Sequence, residues 1–108
     1  MIITILALLA ASPTVPFTVV GEGNTSCGQW TDLRRENPNR VLPESAWVLG
    51  YITAVSRDFA VKRRINITHG LTGAAVDHWI DIYCASHPLD DIMSASNQLV
   101  VELARRAR

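Results

Sequence analysis

The residues best suited to chemistry crowd into one stretch, with Asp77, His78, Asp81, Cys84 and His87 all within positions 77–87. Carboxylate, imidazole and thiolate are the ligands zinc takes, and His78 and Asp81, three positions apart, would share a helix face. A zinc site needs three or four protein ligands, however, and the amphipathic pattern puts Asp77, His78 and Asp81 on the wet face opposite Trp79 and Tyr83. No metal ligand is assigned. Nucleophilic catalysis by Cys84, with His87 as base, would need an exposed thiolate and a third, orienting group. Both residues lie toward a helix C-terminus, where the carbonyl dipole disfavours a thiolate. Glu22, Asp58 and Glu102 could serve as paired carboxylates only if tertiary folding united them. The chain has no glycine pattern that cradles phosphate. These residues imply neither a catalytic site nor a cofactor, and a non-enzymatic role is the expectation.

Cys27 and Cys84 are the two cysteines, 57 positions apart. Ahead of them Ile2–Leu9 forms an apolar run interrupted only by Thr4, followed by the small residues Ala10, Ala11 and Ser12. The run is too short for a bilayer core, which takes ~20 residues, but it matches the apolar region and cleavage zone of a signal peptide. Residues 1–12 are therefore read as a signal peptide, and no stable membrane insertion is expected after cleavage. A buried N-terminal strand or helix is the other reading of the same run. Export implies a periplasmic or secreted protein and an oxidising compartment, in which pairing of Cys27 with Cys84 is the simplest outcome. Two buried free thiols, or a reactive Cys84, would require a reducing compartment. Closing so long a loop removes unfolded-state entropy worth roughly 4 kcal/mol, enough to decide whether a small core folds.

The elements that position these residues are helical. Residues 13–25 read as an extended arm ending in the turn Gly21-Glu22-Gly23-Asn24. Ser26 caps a first short helix carrying Cys27 and Trp30, which Asn37-Pro38-Asn39 stops. Pro43 suits the first position of a second helix, on which Trp47, Tyr51, Val55 and Phe59 recur every four residues beside Val48 and Ile52. Gly50, unfavourable inside a helix, would mark a close helix crossing. Lys62-Arg63-Arg64 reads as a solvated helix end. Thr72 caps a third helix whose Val76, Trp79, Ile80, Tyr83 and Cys84 form an apolar stripe, and Asp90-Asp91 opens a fourth with Ile92, Ser96, Leu99 and Leu103 on one face. The fold expected is all-α: a single small irregular four-helix bundle over residues 26–108, with one disulfide joining the first helix to the third.

Ten basic and ten acidic residues cancel to zero formal charge, so no global field draws the chain to nucleic acid, and a protein partner is the expectation. Three tryptophans and two tyrosines in a chain this small can serve either core or interface. Trp47, Tyr51 and Arg40, the last in the Asn37–Glu44 loop, are the candidate partner-binding residues.

Trp47-Val48-Leu49-Gly50-Tyr51-Ile52-Thr53-Ala54-Val55, followed by Ile67-Thr68-His69-Gly70-Leu71 and Tyr83-Cys84-Ala85-Ser86-His87-Pro88, resembles the Rap/Tai group of type VI secretion immunity proteins. That resemblance implies a small periplasmic helical protein that would inhibit a secreted toxin, with Ala95, Leu99, Val100 and Leu103 in its last helix. The placement of two cysteines across a small helical domain is closer to the HdeA/HdeB acid-stress chaperones. That second resemblance implies a protein that shields unfolded clients in acid.

Overall fold

Side-chain caps open three of the four helices in the computed structural model, which describes residues 15–107. The signal peptide assigned to residues 1–12 lies outside that range. Ser26 accepts a hydrogen bond from the Gln29 amide at 3.1 Å and opens α1, Cys27–Glu36. Asn37 is extended, and its side chain accepts from the Asn39 amide at 3.0 Å, starting the 3-10 turn Pro38–Val41. From there the chain enters α2, Leu42–Arg63, without a side-chain cap. Thr72 caps α3, Gly73–Ser86, and Asp91 caps α4, Ile92–Arg106, by accepting from the Ser94 amide at 2.8 Å. Asp91 thus stands just outside the first turn of α4, and Asp90 is free for another partner. The arm ends in a 3-10 turn, Glu22–Asn24, in place of a simple reverse turn.

The four helices bury one core, in which Trp30, Val48, Val76, Ile80, Ile92, Ala95 and Leu99 are almost wholly screened from solvent. On α2 the centre of the buried stripe is Val48 and Ile52, flanked by buried Ser45 and Ser56. Trp47, Tyr51, Val55 and Phe59 are half-buried to one side of it. Gly50 faces solvent, and a Cβ added there would meet nothing within 4 Å, so it marks no crossing. Its cost is then purely one of helix propensity: Gly50→Ala is expected to raise stability by about 1 kcal/mol in urea unfolding.

The cysteines form a disulfide between α1 and α3, with Cα atoms 4.7 Å apart and both side chains buried. Around it the starts of α1 and α4 are stitched together by backbone. The Cys27 amide donates to Asp90 O at 2.7 Å, Gly28 to Pro88 O at 3.1 Å, and Ile92 to Thr25 O at 2.9 Å. A second tie between α1 and α3 is polar. Asp81 accepts from Trp30 Nε1 at 2.8 Å and from Arg34 through Nε at 2.9 Å and Nη2 at 2.8 Å. The carboxylate so placed raises the Arg34 guanidinium above its ordinary pKa, against the cost of desolvation.

α2 and α4 run in the same direction. Trp47 faces Met93, Tyr51 donates its hydroxyl to Asn97 Oδ1, and the connector after α2 meets Leu103 and Arg106 near the end of α4. α2 ends on Arg64, which takes the left-handed conformation at φ 57 and donates its amide back to Ala60 O. A Cβ is strained there, and glycine is the usual occupant. Arg64→Gly is expected to stabilise the fold by about 1 kcal/mol, read as a raised melting temperature.

Candidate functional site

The residues singled out for chemistry are brought together only in part. Cys84 is consumed by the disulfide, and Asp81 is saturated by Trp30 and Arg34. Asp77 accepts from Ser45 Oγ on α2 at 2.6 Å. His78 is exposed, and His87 lies against Tyr83 with ring centroids 4.1 Å apart, its Nδ1 2.9 Å from Tyr83 O. Among the described residues no three side chains of metal-ligating type converge. Asp58 sits beside Lys62, and Glu102 between Arg105 and Arg106, so these two carboxylates are each engaged by cations. Hydrogen bonds from Arg105 and then Arg106 hold the Glu102 carboxyl down at about 2.

Burial lifts the Glu44 carboxyl above its usual range, and the charge of Glu22 adds to the effect. Tyr83 is pushed up to about 12, first by donating its hydroxyl to Asp90 at 2.5 Å, then by burial and the charges of Asp90 and Asp91. An unfolded tyrosine ionises near pH 10. The Tyr83 contribution to stability is therefore complete below about pH 10 and is lost as pH rises through about 12. An absorbance titration of the folded protein at phenolate wavelengths is expected to show one tyrosine ionising near pH 12, and Tyr83→Phe to abolish that step.

Trp47 and Tyr51 do come together, four residues apart on α2, with nearly parallel rings whose centroids are 5.5 Å apart. Over them lies the arm. Trp47 Nε1 donates to Val20 O at 2.8 Å, and Asn24 Nδ2 donates to Val19 O at 3.0 Å, fixing the arm against its own turn. Gly23 makes the approach possible: a Cβ there would stand 2.4 Å from Trp47 Cζ2 and 2.7 Å from a Val19 methyl. Gly21, at φ 90, bends the chain over the other edge of the indole. Trp47 is thus a clasp for the arm, half-buried beneath it, and the side chains the arm turns outward are exposed: Val15 by 85%, Phe17 by 75% and Val20 by 80%. A groove of about 240 Å³ runs between the arm, Trp47, Tyr51 and Met93. Arg40 stands in the 3-10 turn before α2 and pairs with Glu36 of α1 at 2.9 Å.

Sequence reasoning did not find Phe17, Val20 or Met93 as parts of this face. Two glycines in a turn ahead of the helices were legible, but not that they close on a tryptophan 24 positions after Gly23. A second hollow of about 230 Å³ lies between α2, the connector and α3, bordered by Leu49, Ile52 and Leu71, with Ser56 Oγ and Thr68 Oγ1 bonded to each other at 2.8 Å. Its other hydroxyls are engaged by backbone, Thr53 donating to Leu49 O and Thr72 accepting from the Ala75 amide, and it offers no convergent charge. Among the described residues no helix is long and apolar enough to cross a membrane. Comparison of the chain with protein-family models, with curated proteins and with solved structures finds no match.

Proposed function

We propose that this chain is an exported, non-catalytic protein-binding module that uses the arm and the Trp47–Tyr51 pair as its contact face. One observation carries the reading: the arm is anchored to Trp47 and Asn24 through Val20 O and Val19 O, and its apolar side chains Val15, Phe17 and Val20 stand exposed beside that anchor. Side chains fixed before binding lose little freedom on complex formation, and exposed apolar clusters ringed by polar residues are typical of protein contact sites. In the type VI immunity role that the resemblance implies, this face would seal a secreted toxin. The test is a binding measurement against a secreted hydrolase encoded beside this gene. Phe17→Asp with Val20→Asp, which leaves the core untouched, is expected to weaken binding at least tenfold. Failure of such hydrolases to bind, or undiminished binding by the double variant, would remove this reading.

A second reading, the acid-stress chaperone, draws support from the two ties between α1 and α3, one polar, through Arg34 and Asp81, and one covalent. The disulfide would hold the loosened chain together while apolar surface opened. Light scattering of an unfolded client at about pH 2–3, where model carboxylates are protonated, distinguishes the two: suppression supports the chaperone and unimpeded aggregation rejects it.

A further inference from the structure

Because α2 and α4 run parallel, the cations near their C-terminal ends gather at one end of the molecule. Arg57, Lys62, Arg63 and Arg64 come from α2 and its cap, and Arg105 and Arg106 from α4. Two carboxylates, Asp58 and Glu102, share that end, which leaves an excess of four positive charges. The opposite end carries Glu22, Glu44, Asp90 and Asp91 at the starts of the same two helices and their flanking turns. A formal charge of zero therefore conceals a molecule with a basic pole and an acidic one.

Helix dipoles favour cations in a last turn, and that accounts for some of these residues. It does not account for Arg57, nearly two turns before the end of α2, nor for an arginine at the left-handed position 64 where glycine would relieve strain. Among the described residues Arg57, Arg63 and Arg64 have no carboxylate within 4 Å, and Arg63 lies over the Phe59 ring, 5.6 Å from its centroid. Beside them Val61 is 69% exposed and Val101, one turn before Arg105, is 61% exposed.

We propose that this basic pole is a docking surface for an anionic phospholipid membrane. Four to eight clustered cations match the charge complement that acidic lipid surfaces recruit, and the two valines supply apolar contact below the level of the phosphates. Nucleic acid fits less well, since among the described residues the rings at this pole are Phe59, half-buried and covered by Arg63, and the single imidazole of His69 beside Arg106, too few to stack successive bases. The pole is separate from the Trp47–Tyr51 face and does not depend on its having a protein partner.

Co-sedimentation of the disulfide-bonded chain, without the leader read over residues 1–12, with vesicles tests the proposal. Vesicles of phosphatidylglycerol and phosphatidylcholine are expected to bind it at least tenfold more tightly than phosphatidylcholine alone, with binding lost in about 0.5 M salt, where charge is screened over a few ångströms. Arg57→Gln and Arg64→Gly are each expected to weaken vesicle binding about fivefold. Arg64→Gly is the more telling of the two, because it is expected to fold more stably than the parent. Arg35→Gln on α1, away from this pole, is expected to change nothing. Equal binding to neutral vesicles, indifference of binding to Arg57→Gln and Arg64→Gly, or tighter capture of an RNA or DNA oligonucleotide than of acidic vesicles would each overturn the proposal.

Discussion

A Cys27→Ala/Cys84→Ala variant is expected to lose roughly 4 kcal/mol of stability, a large share of what a domain this small possesses. The magnitude follows from the 57 positions separating the cysteines, since cross-linking so long a loop removes a large share of the disorder of the unfolded chain. Alanine avoids leaving two hydroxyls in a site with no solvent exposure at Cys27 and 1% at Cys84. Urea unfolding of the oxidised parent and the double variant, followed by helical circular dichroism, measures the difference, and the melting temperature is expected to drop by about 15 °C or more. A change below about 1 kcal/mol would mean that the hydrogen bonds of Cys27, Gly28 and Ile92 to the facing segment already restrain the chain without the bond.

Trp30→Ala carries the next largest expected effect, a loss of about 3–5 kcal/mol. Trp30 is wholly buried, touches the disulfide layer of the core, and is the largest of the fully buried side chains. Its removal opens a cavity that the cross-linked helices cannot collapse into, and it takes from Asp81 the indole N–H donated at 2.8 Å. Trp30→Phe separates the two contributions, keeping most of the ring while deleting the donor, and is expected to cost about 1–2 kcal/mol. A double-mutant cycle of Trp30→Phe with Asp81→Asn measures the coupling directly. Additive losses would show that Asp81 is held by Arg34 alone, through its two bonds of 2.9 and 2.8 Å.

The helices were legible because their signals are local. Ser26, Thr72 and Asp91 each cap a helix through a side chain that reaches only three residues ahead, and Asn37-Pro38 forbids continuation by its own geometry. The disulfide between the first and third helices was legible for a different reason, since two cysteines admit one pairing. What periodicity could not fix was the exact facing of α2. A stripe including Trp47, Val48, Tyr51 and Ile52 leaves a rotation of one residue undecided, and the neighbours α3 and α4 settle it by burying Val48 and Ile52. Gly50 misled because low helix propensity reads the same at a crossing and on an open surface.

The face proposed for contact was less legible still. Trp47 and Tyr51 were recognisable as a pair at helical spacing, but their partners Val20 and Gly23 belong to a segment joined to them only by tertiary folding. Charge behaved similarly. A tally of ten against ten is a statement about the sum, whereas the separation into two poles depends on α2 and α4 lying parallel, which helix spacing does not reveal.

The backbone seam between Thr25–Gly28 and Pro88–Ile92 has a bearing on how the chain matures. A ribosome delivers the first of these segments well before the second, so Cys27 travels as an unprotected thiol until Cys84, 57 positions later, has emerged. The sequence has no third cysteine to trap it in a wrong ring, so closing the bond takes an oxidant, with nothing for a reshuffling catalyst to correct. Maturation is then a single late event, in which the two segments of the seam align the sulfurs and one two-electron step locks the finished shape.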